Sequence, residues 1–100
     1  MATTPKKRKR GLPVKPEALR LMEEKMREKG FKFTTQEGMY DELADKIYSD
    51  LSEPISSETI RNVFNPQYRR NPGKNTVQLI ANVLDLYPWD IVEGWNPTES

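Results

Sequence analysis

Apolar residues recur along this chain at helical intervals. The clearest set is Val77, Ile80, Ala81 and Leu84, at i, i+3, i+4 and i+7, which predicts an amphipathic helix capped by Asn75 or Thr76. Upstream, Leu19, Met22 and Met26 are spaced to face a core, in a helix running from Pro16 or Glu17 to Lys29. Proline suits its first position, and Gly30 follows its end as a C-cap. Glu23, Glu24, Lys25, Arg27, Glu28 and Lys29 form its solvated face. Phe31 and Phe33 flank Lys32 and read as apolar anchors in a loop. A second helix begins near Thr34 or Thr35, where Thr34-x-x-Glu37 fits a capping box. Tyr40, Leu43, Ala44, Ile47 and Leu51 supply its core face. Ser52-Glu53-Pro54 ends it, since a residue before proline is biased away from the helical region. After a connection at Asp85-Leu86-Tyr87, Pro88 opens a last short helix with Asp90 in its first turn and Gly94 at its end. Trp89, Ile91, Val92 and Trp95 read as closing the core. No strand pattern or internal repeat is visible. The expected fold is all-α, a compact bundle of about five helices spanning residues 16–95. A disordered basic arm at 1–15 and a frayed tail at 96–100 flank it.

The third helix carries the candidate chemistry. In the stretch Ile-Ser-Ser-Glu-Thr-Ile-Arg-Asn-Val-Phe, residues 55–64, Ser56 or Ser57 can cap a helix of about Ser57 to Phe64. Ile55 stands before the cap, where an apolar residue fixes the entry of the chain. Ile60, Val63 and Phe64 share one face. Glu58, Arg61, Asn62 and Asn65 share another, spanning an arc of about 100° at roughly 100° per residue. One side must be buried, and the other offers donors and acceptors. A loop follows directly, Asn65-Pro66-Gln67-Tyr68-Arg69-Arg70-Asn71-Pro72-Gly73-Lys74-Asn75. It combines cations suited to phosphates with side chains that donate hydrogen bonds.

This pattern resembles the recognition helix of a λ-repressor/Cro-like helix-turn-helix domain. The matching residues are Leu43-Ala44 on the preceding helix, Ile55-Ser56 at the turn, and Thr59-Ile60 with Val63 on the second helix. The likeness continues through Thr76, Leu79-Ile80-Ala81 and Leu84-Asp85-Leu86 to Pro88-Trp89-Asp90-Ile91-Val92, about the last two-thirds of the chain. The chain is also similar to helical domains at the N-termini of cyanobacterial signalling proteins, which often open with a Pro-Glu-x-Leu helix ending in Lys-Gly. Such family turns are short and usually contain a glycine. Here eleven residues, Ala44 to Pro54, separate Leu43 from Ile55, and none is glycine. The first helix of the pair must be longer, or the turn wider. The resemblance implies a DNA-binding transcriptional regulator.

Composition narrows the field. The chain has 100 residues, 35% of them hydrophobic and 31% charged, which suits one small charged globule. It contains neither cysteine nor histidine, so no disulfide framework, thiolate site or zinc site is expected. No glycine-rich phosphate loop or nucleophile motif points to an enzyme, and no cofactor is implied. Asp41, Glu42 and Asp45 lie close together and read as a solvated acidic face rather than a metal or acid–base site. No apolar run approaches a membrane span, and the basic N-terminus is not followed by an apolar signal region. A soluble, cytoplasmic, nucleoid-associated protein is the default expectation.

The net charge of +1 conceals an asymmetry. Residues 1–15 carry Lys6, Lys7, Arg8, Lys9, Arg10 and Lys15 and no acid. The other 85 residues hold ten Lys or Arg against fifteen Asp or Glu, a net of −5. Between Thr59 and Asp85, however, the only charges are Arg61, Arg69, Arg70 and Lys74. Double-stranded DNA is the expected partner. Arg61 is placed to read a guanine, Asn62 and Asn65 an adenine or a phosphate, and Glu58 a cytosine amino group. Arg69, Arg70 and Lys74 are placed on phosphates, with Ser57, Thr59, Gln67, Tyr68 and Asn75 completing the surface. The run Lys6, Lys7, Arg8, Lys9 and Arg10 suits a nucleic-acid groove. It also fits a solubilising tail, and with Pro5 it resembles a nuclear import signal. The rival class is a protein-interaction or adaptor module on the same fold, or the N-terminal domain of a larger signalling protein. A homodimer stays open, although no heptad pattern points to one.

Overall fold

A computed structural model describes residues 12–65 and 72–95. Among them are five helices and no strand, the all-α bundle that the apolar spacing predicts. Helix α1, Pro16–Glu28, starts with its proline at the first position and buries Ala18, Met22 and Met26. The buried stripe therefore centres on Ala18, with Leu19 at its edge. The helix ends in a pair of reversed hydrogen bonds: Gly30 N–H donates to the Arg27 carbonyl at 3.1 Å and Phe31 N–H to that of Met26 at 3.0 Å. That Schellman closure needs a left-handed residue, and Gly30 supplies it at φ 93°. Phe31 and Phe33 are then buried as loop anchors. Glu42 holds the loop between them, both carboxylate oxygens accepting from Lys32 N–H at 3.1 and 3.2 Å. Glu42 is thus engaged, whereas Asp41 and Asp45 are exposed.

Helix α2, Gln36–Leu51, is capped by Thr35, whose hydroxyl accepts from Gly38 N–H at 3.0 Å. The expected capping box of Thr34 and Glu37 is replaced by this single-residue cap. A Cβ at Gly38 would sit 3.1 Å from the Thr35 hydroxyl, so a larger residue there would require the capping side chain to shift by a few tenths of an ångström. Met39, Tyr40, Leu43 and Ile47 are buried. The helix closes at Ser52, left-handed at φ 58°, and a short turn leads to α3, Ser57–Phe64. Both alternatives raised by the long Leu43–Ile55 spacing hold: the helix is long, and the turn is wider than a tight one. Ser56 caps α3 by accepting from Thr59 N–H at 3.2 Å. Ile60, Val63 and Phe64 are buried as their spacing requires.

Helix α4, Lys74–Leu84, begins one to two residues before the caps expected at Asn75 or Thr76, with Gly73 in the cap position. It buries Val77, Ile80, Ala81, Val83 and Leu84. Its end repeats the closure of α1, with Asp85 left-handed at φ 59° and Leu86 N–H donating to the Ala81 carbonyl at 2.8 Å. Helix α5, Pro88–Ile91, opens on its proline, and Asp90 accepts from Tyr87 N–H at 3.1 Å.

Helix α2 packs against α3 and α4, and α4 packs against α1 and α5. The chain start completes the core. Val14 is buried and bridges Val92 in antiparallel fashion. Lys15 N–H donates to the Ile91 carbonyl at 2.8 Å, and Glu93 N–H to that of Pro13 at 2.9 Å. Residues 12–15, expected in the arm, are therefore seated on the C-terminal end of the domain.

Candidate nucleic-acid interface

The polar face of α3 follows from its cap and its buried stripe. With Ile60, Val63 and Phe64 held inward, Glu58 is exposed, and Arg61 and Asn62 lie half-buried beside it. Ser57 and Thr59 are half-buried in the first turn. The Thr59 hydroxyl lies 2.9 Å from that of Ser56, so both belong to the cap.

The first turn of α2 runs beside this face. The Glu37 carboxylate stands 3.9 Å from an Arg61 terminal nitrogen, an ion pair between helices. Asn65, expected to point its amide outward, holds α3 to α2 instead. Its Nδ2 donates to the Tyr40 hydroxyl at 3.1 Å and to the Arg61 carbonyl at 2.9 Å. The Tyr40 hydroxyl in turn donates to Gln36 Oε1 at 3.1 Å, and its ring packs on Phe64 with centroids 5.8 Å apart. Two N–H groups on one amide nitrogen are then both taken, and the bidentate amide–adenine pairing would need one of them. Asn62 has the outward position that such a pairing requires.

Lys74 opens α4, its ammonium 5.5 Å from the Trp95 ring centroid, and Asn75 is exposed in the same turn. No side chain among the described residues caps this helix, and its dipole places a positive end here. The other expected site residues, Lys6, Lys7, Arg8, Lys9, Arg10, Gln67, Tyr68, Arg69 and Arg70, lie outside the described residues.

Gln36, Glu37 and Tyr40 were not expected in this network. Tyr40 read as a core residue and Glu37 as half of a capping box, and both readings came from local spacing alone. Only the docking of α3 on α2 brings them to Arg61 and Asn65.

No helix among the described residues is long and apolar enough to cross a membrane, and none of their acidic residues cluster as a metal site would need. Comparison with known proteins finds no matching family model, curated protein or solved structure.

Proposed function

We propose that this domain binds double-stranded DNA and acts in transcriptional regulation, with α2 and α3 as a helix-turn-helix of the λ-repressor/Cro-like kind. One observation carries the reading. Helix α3 is anchored by Ile60, Val63 and Phe64 while Glu58, Arg61 and Asn62 remain at its surface. Such a helix fits the major groove, where side chains of its kind read base edges. Arg61 addresses a guanine, Asn62 an adenine and Glu58 a cytosine amino group. Lys74 and the start of α4 support a phosphate. Arg69 and Arg70 add phosphate contacts, and Lys6, Lys7, Arg8, Lys9 and Arg10 add sequence-tolerant affinity in an adjacent groove. The domain works in the cytoplasm at the nucleoid, without catalysis or cofactor.

The test compares Arg61→Ala with Arg70→Ala on a randomised duplex pool at fixed salt. An arginine bonded bidentately to guanine discriminates by about 1–3 kcal/mol, whereas a phosphate contact carries no base information. Arg61→Ala flattens preference at one position, and Arg70→Ala weakens every sequence by a similar factor. A wild-type protein that enriches no sequence defeats the regulator reading.

One observation favours a protein-interaction module instead. The 85 residues after the basic arm carry a net charge of −5, and Glu37, Asp41 and Asp45 are exposed on the helix beside α3. Failure to bind any duplex selects that reading.

A further inference from the structure

We propose that Glu37 is a positioning residue for Arg61, and that it sets how stringently α3 discriminates at one base pair. This rests on the DNA-binding reading above. A guanidinium reads a guanine only when its planar fork is presented edge-on, and a free arginine samples many other rotamers. Here both ends of the residue are tied to the first turn of α2. The guanidinium lies 3.9 Å from the Glu37 carboxylate. The backbone carbonyl accepts from Asn65, whose amide also donates to Tyr40, and Tyr40 donates to Gln36. Gln36 and Glu37 are neighbours, so one turn of one helix is linked to the base of the arginine and biases its tip.

The same carboxylate has an opposing effect. Glu37 is 72% exposed at its side chain, which puts a negative charge beside any duplex docked on α3. It repels the phosphate backbone whatever the sequence. Glu37 therefore lowers affinity for all duplexes and sharpens discrimination at the base that Arg61 reads. An exposed pair of this length adds little to folding stability, so the variants fold.

Full-length wild type, Glu37→Gln, Glu37→Asp, Arg61→Ala and the Glu37→Gln/Arg61→Ala double variant are selected on a randomised duplex pool at one salt. Each is then titrated with the preferred duplex and with duplexes changed at the Arg61-dependent position. Glu37→Gln binds non-preferred duplexes more tightly, and its discrimination at that position falls by about fivefold, the lower end of what an arginine–guanine contact confers. Glu37→Asp keeps the charge but not the reach, so it loses discrimination without the general gain in affinity. The double variant discriminates no worse than Arg61→Ala alone. If Glu37→Gln tightens all duplexes equally and keeps full discrimination, Glu37 is only a nearby charge. The inference then fails while the DNA-binding reading stands. A wild type without preference overturns both.

Discussion

Ile60 and Arg61 are adjacent in sequence and opposite in environment. Ile60 is fully buried, whereas the Arg61 side chain is 37% exposed beside Glu37. Ile60→Ala leaves a cavity as well as losing transfer energy, and is expected to destabilise by about 2–5 kcal/mol. Arg61→Ala removes the ion pair with Glu37 from a partly exposed side chain and is expected to cost no more than about 1 kcal/mol. Urea melts of the two variants decide, and equal losses would mean that α3 turns a different face inward. Asp85 is a second position where one residue meets two demands. It closes α4 in the left-handed region and accepts from the Lys29 ammonium at 2.7 Å, joining the ends of α4 and α1. That hydrogen bond, with the Lys29 charge behind it, holds the Asp85 carboxyl below the ordinary aspartate range. A carboxyl depressed in the folded state stabilises above its unfolded pKa, and the contribution is lost as pH falls through the folded pKa. Asn tolerates the left-handed region, so Asp85→Asn removes the charge and keeps the backbone. Thermal melts of this variant should fall below wild type near neutral pH. The two should converge in acid, once the pH has fallen below the lowered folded-state pKa. A gap that persists unchanged in acid would mean that the ion pair contributes nothing.

At the scale of the element, α3 has eight residues, too few for a helix to persist in water by itself. Its cap and its docking on α2 must supply the rest. Ser56→Ala removes the acceptor for Thr59 N–H and is expected to cost about 1 kcal/mol, measurable as a lower urea midpoint with an unchanged m-value. An unchanged midpoint would mean that packing alone holds the helix start. The elements themselves were legible in the sequence, because the longer ones bury a stripe at helical spacing and several are bounded by a glycine, proline or serine. The third helix was legible in span, in cap and in its buried face. The stripes were legible only to within a residue. Ala18, Met39 and Val83 are buried beside the positions that spacing selects, since the neighbouring helix decides which flank of a stripe is covered. Helix α4 starts earlier than Asn75 because Gly73 takes the cap position although it has no side chain to cap with. Asn65 belonged to the polar face by angle alone. Its amide turned inward because Tyr40, twenty-five residues earlier, offers a hydroxyl there. No local pattern encodes that partner, nor the pairing of Glu37 with Arg61.

At the scale of the whole molecule, the two ends of the domain depend on each other. Val14 bridges Val92, and Pro13 and Lys15 exchange backbone hydrogen bonds with Glu93 and Ile91. A single valine between charged and proline-rich neighbours gives no strand pattern, so this closure could not be read from the sequence. It divides the N-terminal segment into a part that builds the fold and a basic part, and two truncations separate them. Removing residues 1–10 deletes Lys6, Lys7, Arg8, Lys9 and Arg10 and leaves Val14 in place. The melting midpoint should stay within error of the full chain. Affinity for any duplex should fall, and the slope of log K against log salt should shrink by about 0.9 for each phosphate that the arm no longer neutralises. The ranking of sequences should survive, because binding to phosphate carries no base information. Removing residues 1–15 also takes away the buried valine and both backbone hydrogen bonds, and should destabilise the domain by about 2 kcal/mol or more. A salt slope unchanged by the shorter truncation would exclude the basic run from DNA binding and leave it as a tail or a targeting signal. A longer truncation as stable as the full chain would mean that the bridge to Val92 only decorates the core. Loss of stability in both would place part of the basic run in the fold itself, and any fall in affinity would then no longer measure charge alone.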